Sequence, residues 1–184
     1  MLRQLINDLR ARPPMDRDEL DMATLLARTG ARWAPLRPLP FRQAQYTRTC
    51  AYRDDQFEVL LLNWAPGAIS PLHDHADQHC WMFVLDGALQ VEDYARLDAA
   101  EVPGVARVAP RGRRTIGPSE LDLRSGRFDL HRVSSAGDAP ALSLHVYAGP
   151  LRSFLVYDET TQRCKSVVGT YDEVLYAYTG SLRR

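Results

Sequence analysis

The chain has 184 residues, 45% apolar and 25% charged, and its 23 Lys+Arg are balanced by 23 Asp+Glu. Zero net charge argues against the basic face of a nucleic-acid-binding domain, and no run approaches the ~18 apolar residues of a membrane span. A chain of this length is expected to form one domain, over 1–184, burying roughly 70% of its unfolded surface without disulfides.

The first thirty residues read as two helices. Leu2, Leu5, Ile6 and Leu9 recur at i, i+3, i+4 and i+7, an apolar stripe that Pro13-Pro14 ends. Set among Arg3, Asp8 and Arg10, the same residues do not read as a signal peptide. Asp16 followed by Glu19 opens a second helix in the manner of a capping box. Leu20, Ala23, Leu26 and Ala27 form its expected apolar face and Gly30 its stop. The three prolines within 34–40 predict an extended linker. Beyond it come short runs bounded by turn residues: QYTRTCAY, FEVLLLNW, CWMFVLDG, ALQVEDY, GVARVAP, RFDLHRV, ALSLHVYAG, SFLVYD and CKSVVG. Asp86-Gly87 reads as a hairpin turn and Asp158–Gln162 as another. Around ten strands after two helices predict an all-β sandwich or barrel over roughly 40–170, with a helical cap over 1–30.

All five histidines lie between positions 73 and 145. Residues two apart in a strand share a face, so His73 and His75 would offer two imidazoles to one point. Such a pair suits Fe, Zn, Cu or Ni, and is equally found as a solvated or core-satisfied pair. His131, within Leu130-His131-Arg132-Val133, sits on a later run and supplies a third candidate ligand. In Ser143-Leu144-His145-Val146-Tyr147, alternation puts Ser143, His145 and Tyr147 on one face. The commoner meaning is a half-buried strand with a polar outer face; the functional one is a hydroxyl–imidazole–phenol relay. Cys50, Cys80 and Cys164 form an odd set without scaffold spacing, as expected of a reducing cytoplasm.

Gly67-x5-His73-x-His75-x4-Cys80-x6-Gly87 resembles the first cupin motif, with cysteine where most cupins carry a glutamate ligand. The set His73-Asp74-His75, His79-Cys80, Leu130-His131-Arg132-Val133 and Ser143-Leu144-His145-Val146-Tyr147, with Tyr46-Thr47-Arg48 and Trp64 upstream, resembles the cysteine dioxygenases. These are the thiol dioxygenase branch of the cupins, and the likeness covers roughly residues 40 to 160. It implies a cupin-type antiparallel β-barrel or jelly roll, and a non-haem iron oxidoreductase that adds both atoms of O2 to the thiol of L-cysteine, giving cysteine sulfinate.

The resemblance also implies roles. His73, His75 and His131 match the three ligands of Fe(II), and three neutral ligands leave the ion more positive toward an anionic thiolate. Arg48 matches the arginine that binds the substrate carboxylate, beside Tyr46; a planar, permanently charged fork suits that task, although a surface salt bridge is the ordinary use of such an arginine. Tyr147 matches the phenol near the iron, with Ser143 and His145 as its relay. Cys80 matches the cysteine that many members join to that tyrosine through a thioether. Ser135 stands where cupins usually have asparagine and Asp129 where glycine is common, which bears on local turn geometry. His79 is expected at the pocket rim, and Cys50 and Cys164 as ordinary thiols.

The expected protein is thus a cytoplasmic monomer whose partners are L-cysteine and O2, with no nucleic acid or membrane. One alternative is a dioxygenase of 3-mercaptopropionate or another small thiol, whose members tend to carry glutamine for Arg48 and glycine for Cys80. The other is a non-catalytic metal-binding cupin sensor, which needs neither the relay nor Cys80.

Overall fold

The computed structural model describes residues 2–30, 45–100, 102–126 and 128–175, and the linker expected at 34–40 lies outside them. The first helix, α1 (Leu2–Ala11), ends before Pro13-Pro14, and a 3₁₀ turn at Pro14–Asp16 separates it from α2 (Glu19–Gly30). The cap of α2 is Asp18 rather than Asp16: Asp18 Oδ1 accepts the Asp21 N–H at 2.7 Å, while Asp16 is taken up by the turn. The buried face follows that later start. Met22, Leu25, Leu26 and Thr29 are buried, whereas Leu20 is 75% exposed.

Twelve strands follow among the described residues: β1 (Tyr46–Arg53), β2 (Glu58–Trp64), β3 (Leu72–His73), β4 (Cys80–Asp86), β5 (Leu89–Arg96), β6 (Val108–Ile116), β7 (Leu121–Arg124), β8 (Leu130–Ser135), β9 (Ala141–Tyr147), β10 (Ser153–Asp158), β11 (Arg163–Val168) and β12 (Glu173–Val174). They make two six-stranded sheets, ordered β12-β1-β2-β9-β4-β7 and β11-β10-β3-β8-β5-β6. All pairs are antiparallel except the β1–β12 contact.

Leu60, Leu62 and Met82 of the first sheet meet Leu89, Val91 and Val133 of the second in one core, the two-sheet all-β sandwich expected from the strand runs. The other face of the first sheet is covered too. Val59, Leu61, Phe83 and Val146 lie under Leu5, Leu9, Met22 and Leu26 of the helices. This double cover explains why the centre of β2, Val59–Leu62, is continuously apolar instead of alternating: all seven of the strand's residues are buried, Glu58 and Asn63 included. No helix among the described residues is long and apolar enough to cross a membrane.

The two predicted turns do different things. Asp158–Gln162 closes the β10–β11 hairpin, with Asp158 Oδ1 accepting the N–H groups of Thr160 and Thr161. Asp86-Gly87 closes no hairpin, because β4 pairs with β7 and β9 while β5 pairs with β6 and β8. It carries the chain from one sheet to the other. Gly87 has φ +69°, and a Cβ there would collide with the Pro140 carbonyl oxygen. The dipeptide specifies a tight turn; sheet packing decides which strands it joins.

Candidate functional site

The two-residue strand β3 places His73 directly opposite His131 of β8, and His75 follows two residues on. The ligand nitrogens of the three lie within 4.8 Å of one another, a group that could hold a metal ion. Their ring centroids are 4.7 to 5.0 Å apart. The intervening residues fix this geometry. Leu72 is buried in an adjoining core cluster with Leu130 and Tyr157, and the Asp74 carboxylate accepts the Tyr157 hydroxyl at 2.8 Å and the Leu155 N–H at 2.9 Å. An aspartate between two histidines thus anchors the loop.

The remaining ring nitrogens orient the imidazoles. His73 Nδ1 lies 2.9 Å from the Pro71 carbonyl oxygen, which can only accept, so Nδ1 carries the proton and Nε2 keeps its lone pair. His131 Nδ1 lies 3.4 Å from Asp122 Oδ2, longer than a regular hydrogen bond. His75 Nδ1 is buried without a hydrogen-bond partner. Burial, first, pushes all three pKa values down. Neighbouring imidazoles push His73 and His75 further, while contact with Asp122 partly offsets the effect at His131. Three neutral imidazoles converging on one point are a fitting donor set for a divalent transition metal.

Asp122 lies on β7, in the opposite sheet from His131, and is 2% exposed. Burial alone would raise its pKa, but contacts with His131 and Arg124 hold the carboxyl well below the usual range. Arg124 donates to both of its oxygens at 2.8 Å and reaches Asp93 at 2.7 Å and Asp129 at 2.9 Å. Asp129 also accepts the Ser125 N–H at 2.9 Å. An aspartate where cupins commonly have glycine therefore ties down the turn before His131.

The polar face of β9 points inward: Ser143, His145 and Tyr147 are 0%, 5% and 4% exposed. Trp64 Nε1 donates to Ser143 Oγ at 2.9 Å, and Ser143 Oγ lies 2.8 Å from His145 Nε2. Burial, then His131, depresses His145 to about 3, which keeps its ring neutral beside the serine hydroxyl. The second link of the expected relay is missing. His145 and Tyr147 rings stand 6.2 Å apart and His145 Nδ1 has no partner. The Tyr147 hydroxyl instead meets the Cys80 thiol, directly across the β4–β9 ladder. Burial, first, raises both groups' pKa values.

A cavity of about 40 Å³ opens against the imidazoles, with Tyr147, Arg48, Tyr46 and Phe154 in its walls. Arg48 and Tyr46 share a face of β1, and Tyr46 stacks on Trp64 with centroids 4.7 Å apart. His79 does not line this cavity; it stacks on Trp81 at 5.6 Å, on the opposite side of the strand from Cys80. Cys50 is buried, its thiol pushed up to about 11 by burial and then by Glu58, and Cys164 is half-buried. Asp122, Arg124, Phe154 and the Glu58–Tyr171 pair were not identified from the sequence.

The family model for cysteine dioxygenase type I matches residues 2–160. Proteins named cysteine dioxygenase type 1 from Danio rerio and Bos taurus are 30% and 28% identical over 133 residues, 71% of this chain. The chain spans 65% and 64% of their lengths. A solved structure of an uncharacterized conserved protein with a double-stranded beta-helix domain, from Klebsiella pneumoniae, aligns with a TM-score of 0.48 at 12% identity. The alignment covers 65% of this chain and 90% of that one.

Proposed function

The chain belongs to the cysteine dioxygenase type I family, and on that premise we propose that it oxidises the thiol of L-cysteine to the sulfinate with Fe(II) and O2. The observation that carries the reading is the convergence of three neutral imidazoles at a small cavity that Arg48 also lines. His73, His75 and His131 would hold the metal. Bound there, Fe(II) supplies the Lewis acidity that makes the thiol a thiolate and the redox chemistry that O2 requires.

The remaining steps fall to side chains. The Arg48 guanidinium takes the substrate carboxylate and sets how far the sulfur reaches toward the imidazoles. Tyr46, stacked on Trp64, gives that subsite a rigid wall. Tyr147 keeps its proton through burial and can donate a hydrogen bond at Oη to oxygen arriving on the sulfur. Ser143 and Trp64 fix the neutral His145 behind it. Phe154, edge-on to His73 at 5.7 Å, narrows the cavity and keeps water out. So small a cavity suits a substrate of few heavy atoms over a peptide thiol. The protein acts, on this reading, as a cytoplasmic monomer formed by one cupin domain over 1–184.

The test is oxygen uptake by the iron-loaded protein with and without L-cysteine, followed by mass spectrometry of the product formed under 18O2. Sulfinate carrying both labelled atoms is expected. Iron content without thiol-dependent uptake, or unlabelled sulfinate, overturns the reading.

A further inference from the structure

Arg48 is held by a segment far away in the chain. Its N–H donates to Asp172 Oδ2 at 2.8 Å, and its carbonyl accepts the Asp172 N–H at 2.8 Å. The Tyr171 ring lies against the guanidinium, 5.7 Å from centroid to Arg48 Cζ. Arg53 Cζ stands 6.0 Å from the same centroid, and Arg53 Nη1 lies 3.2 Å from the Tyr171 hydroxyl oxygen. That hydroxyl donates to Glu58 Oε1. Glu58 is fully buried on β2, and its other oxygen accepts the Leu151 N–H at 3.0 Å. Leu151 lines the cavity and packs its carbonyl against Gly169, where an added Cβ would stand 2.9 Å from the Leu151 oxygen and 3.6 Å from Arg48 Nη1.

Each contact has a physical consequence. A buried carboxylate needs all its acceptor sites used, and here one oxygen is committed to Tyr171 and the other to backbone. The phenol plane is therefore fixed from behind. A guanidinium against an aromatic face is restrained in position while its N–H edge stays free to donate. Among the described residues no carboxylate forms an ion pair with the Arg48 guanidinium, so that edge is open to an anion from the cavity.

We propose that Tyr171, clamped by Glu58, is a positioning residue for Arg48, and that segment 169–172 sets the affinity for the carboxylate of the substrate. The inference rests on the reading of Arg48 as the carboxylate anchor given above. Tyr171 touches no reacting atom. It acts by holding the guanidinium in one orientation, so its contribution is confined to ligands that carry the anion Arg48 reads.

The experiment measures anaerobic equilibrium binding of L-cysteine and of 2-aminoethanethiol, the same thiol and amine without the carboxylate, to iron-loaded wild type, Tyr171→Phe and Tyr171→Leu. Tyr171→Leu is expected to weaken cysteine about tenfold, the scale of a lost cation–aromatic contact, and to leave 2-aminoethanethiol unchanged. Tyr171→Phe, which keeps the ring but not its clamp, should fall between. Iron content equal to wild type shows that the metal site is intact. If Tyr171→Leu does not fold, Tyr171→Phe and Glu58→Gln carry the same comparison. Equal weakening of both thiols shows a general structural role and overturns the proposal, as does unchanged cysteine binding. Because binding is read without turnover, a wild type that binds cysteine but consumes no O2 counts against the dioxygenase reading alone. A wild type indifferent to the carboxylate overturns the carboxylate anchor and the proposal together.

Discussion

Cys80 and Tyr147 are directly opposed cross-strand neighbours on β4 and β9, with the thiol facing the hydroxyl beside the cavity that Tyr147 lines. Residues so paired have Cβ atoms about 5 Å apart, within reach for a thiol and a phenol to meet. A thioether there requires loss of the thiol hydrogen and one ring hydrogen, with O2 as the oxidant. Protein purified with iron and turned over with cysteine in air should show an intact mass lighter by a pair of hydrogens, and a tryptic peptide joining Cys80 to Tyr147. Cys80→Ser should lack both changes. Wild type of unaltered mass after many turnovers would show that the proximity is structural only.

Asp122 is the feature most able to tune the metal. It approaches His131 at 3.4 Å from the opposite sheet, and Arg124 holds it in its ionised form. A carboxylate behind a metal-bound imidazole fixes the ring and raises its basicity, and losing one typically weakens metal binding by about 10- to 100-fold. Asp122→Asn should reduce Fe(II) affinity in chelator competition by that order, with kcat per bound iron less affected. Asp122→Ala should also destabilise the fold by roughly 3–5 kcal/mol, because it leaves the Arg124 charge buried with less compensation. Iron affinity unchanged in Asp122→Asn would remove any role for this contact at the metal.

How much of this was legible follows from sequence distance. His73-x-His75 carries its geometry locally, since two alternate residues on an extended segment face one way, and β9 shows its polar face by alternation. What alternation cannot reveal is whether that face points in or out; here the helices cover the apolar side and the second sheet covers the polar one. Asp122 and Arg124 sit on a four-residue strand whose alternation is inverted, the charged pair buried and the two leucines half-buried, so the ordinary apolar-inward reading fails there. β6 starts inside the GVARVAP run, but its remainder, with Arg111, Arg113 and Arg114 at the edge of its sheet, lies outside every expected run, although charges on an edge strand guard against wrong pairing. The Glu58–Tyr171 bond spans 113 residues, beyond any spacing rule.

The pH dependence of stability follows from the buried imidazoles. His145 is held at about 3, and His73, His75 and His131 are lowered, with burial the first cause in each. An unfolded histidine titrates near about 6.5. Below that value the unfolded chain binds protons that the native chain does not, so stability falls as pH falls, by about 1 kcal/mol per pH unit for each such group. Asp122 also has a depressed native pKa, but its loss begins only near the unfolded value of about 4. The window from pH ~6.5 to ~5 therefore belongs to the histidines. The Tm of metal-free protein should be nearly level above pH ~7 and drop steadily between ~6.5 and ~5, with a shallower slope in His145→Gln. A level Tm through that window would contradict four neutral rings with lowered pKa values.

Arg48 is the residue on which substrate choice should turn. Its fork is fixed by the main-chain pairing to Asp172 and by the Tyr171 ring, so it meets a carboxylate at one set distance from the imidazoles. Glutamine is neutral and cannot offer the charged, parallel N–H pair. Removing one partner of a buried charge-assisted contact costs on the order of 2–3 kcal/mol, or roughly 100-fold. Arg48→Gln should therefore lower kcat/KM for L-cysteine by about that factor, chiefly through KM. The ratio of L-cysteine to 2-aminoethanethiol turnover should fall with it, because 2-aminoethanethiol keeps the thiol and amine but has no carboxylate for the fork to hold. Metal content should not change, since Arg48 is not among the three clustered imidazoles. If both thiols lose equally and KM stays constant, Arg48 shapes the cavity without reading the carboxylate.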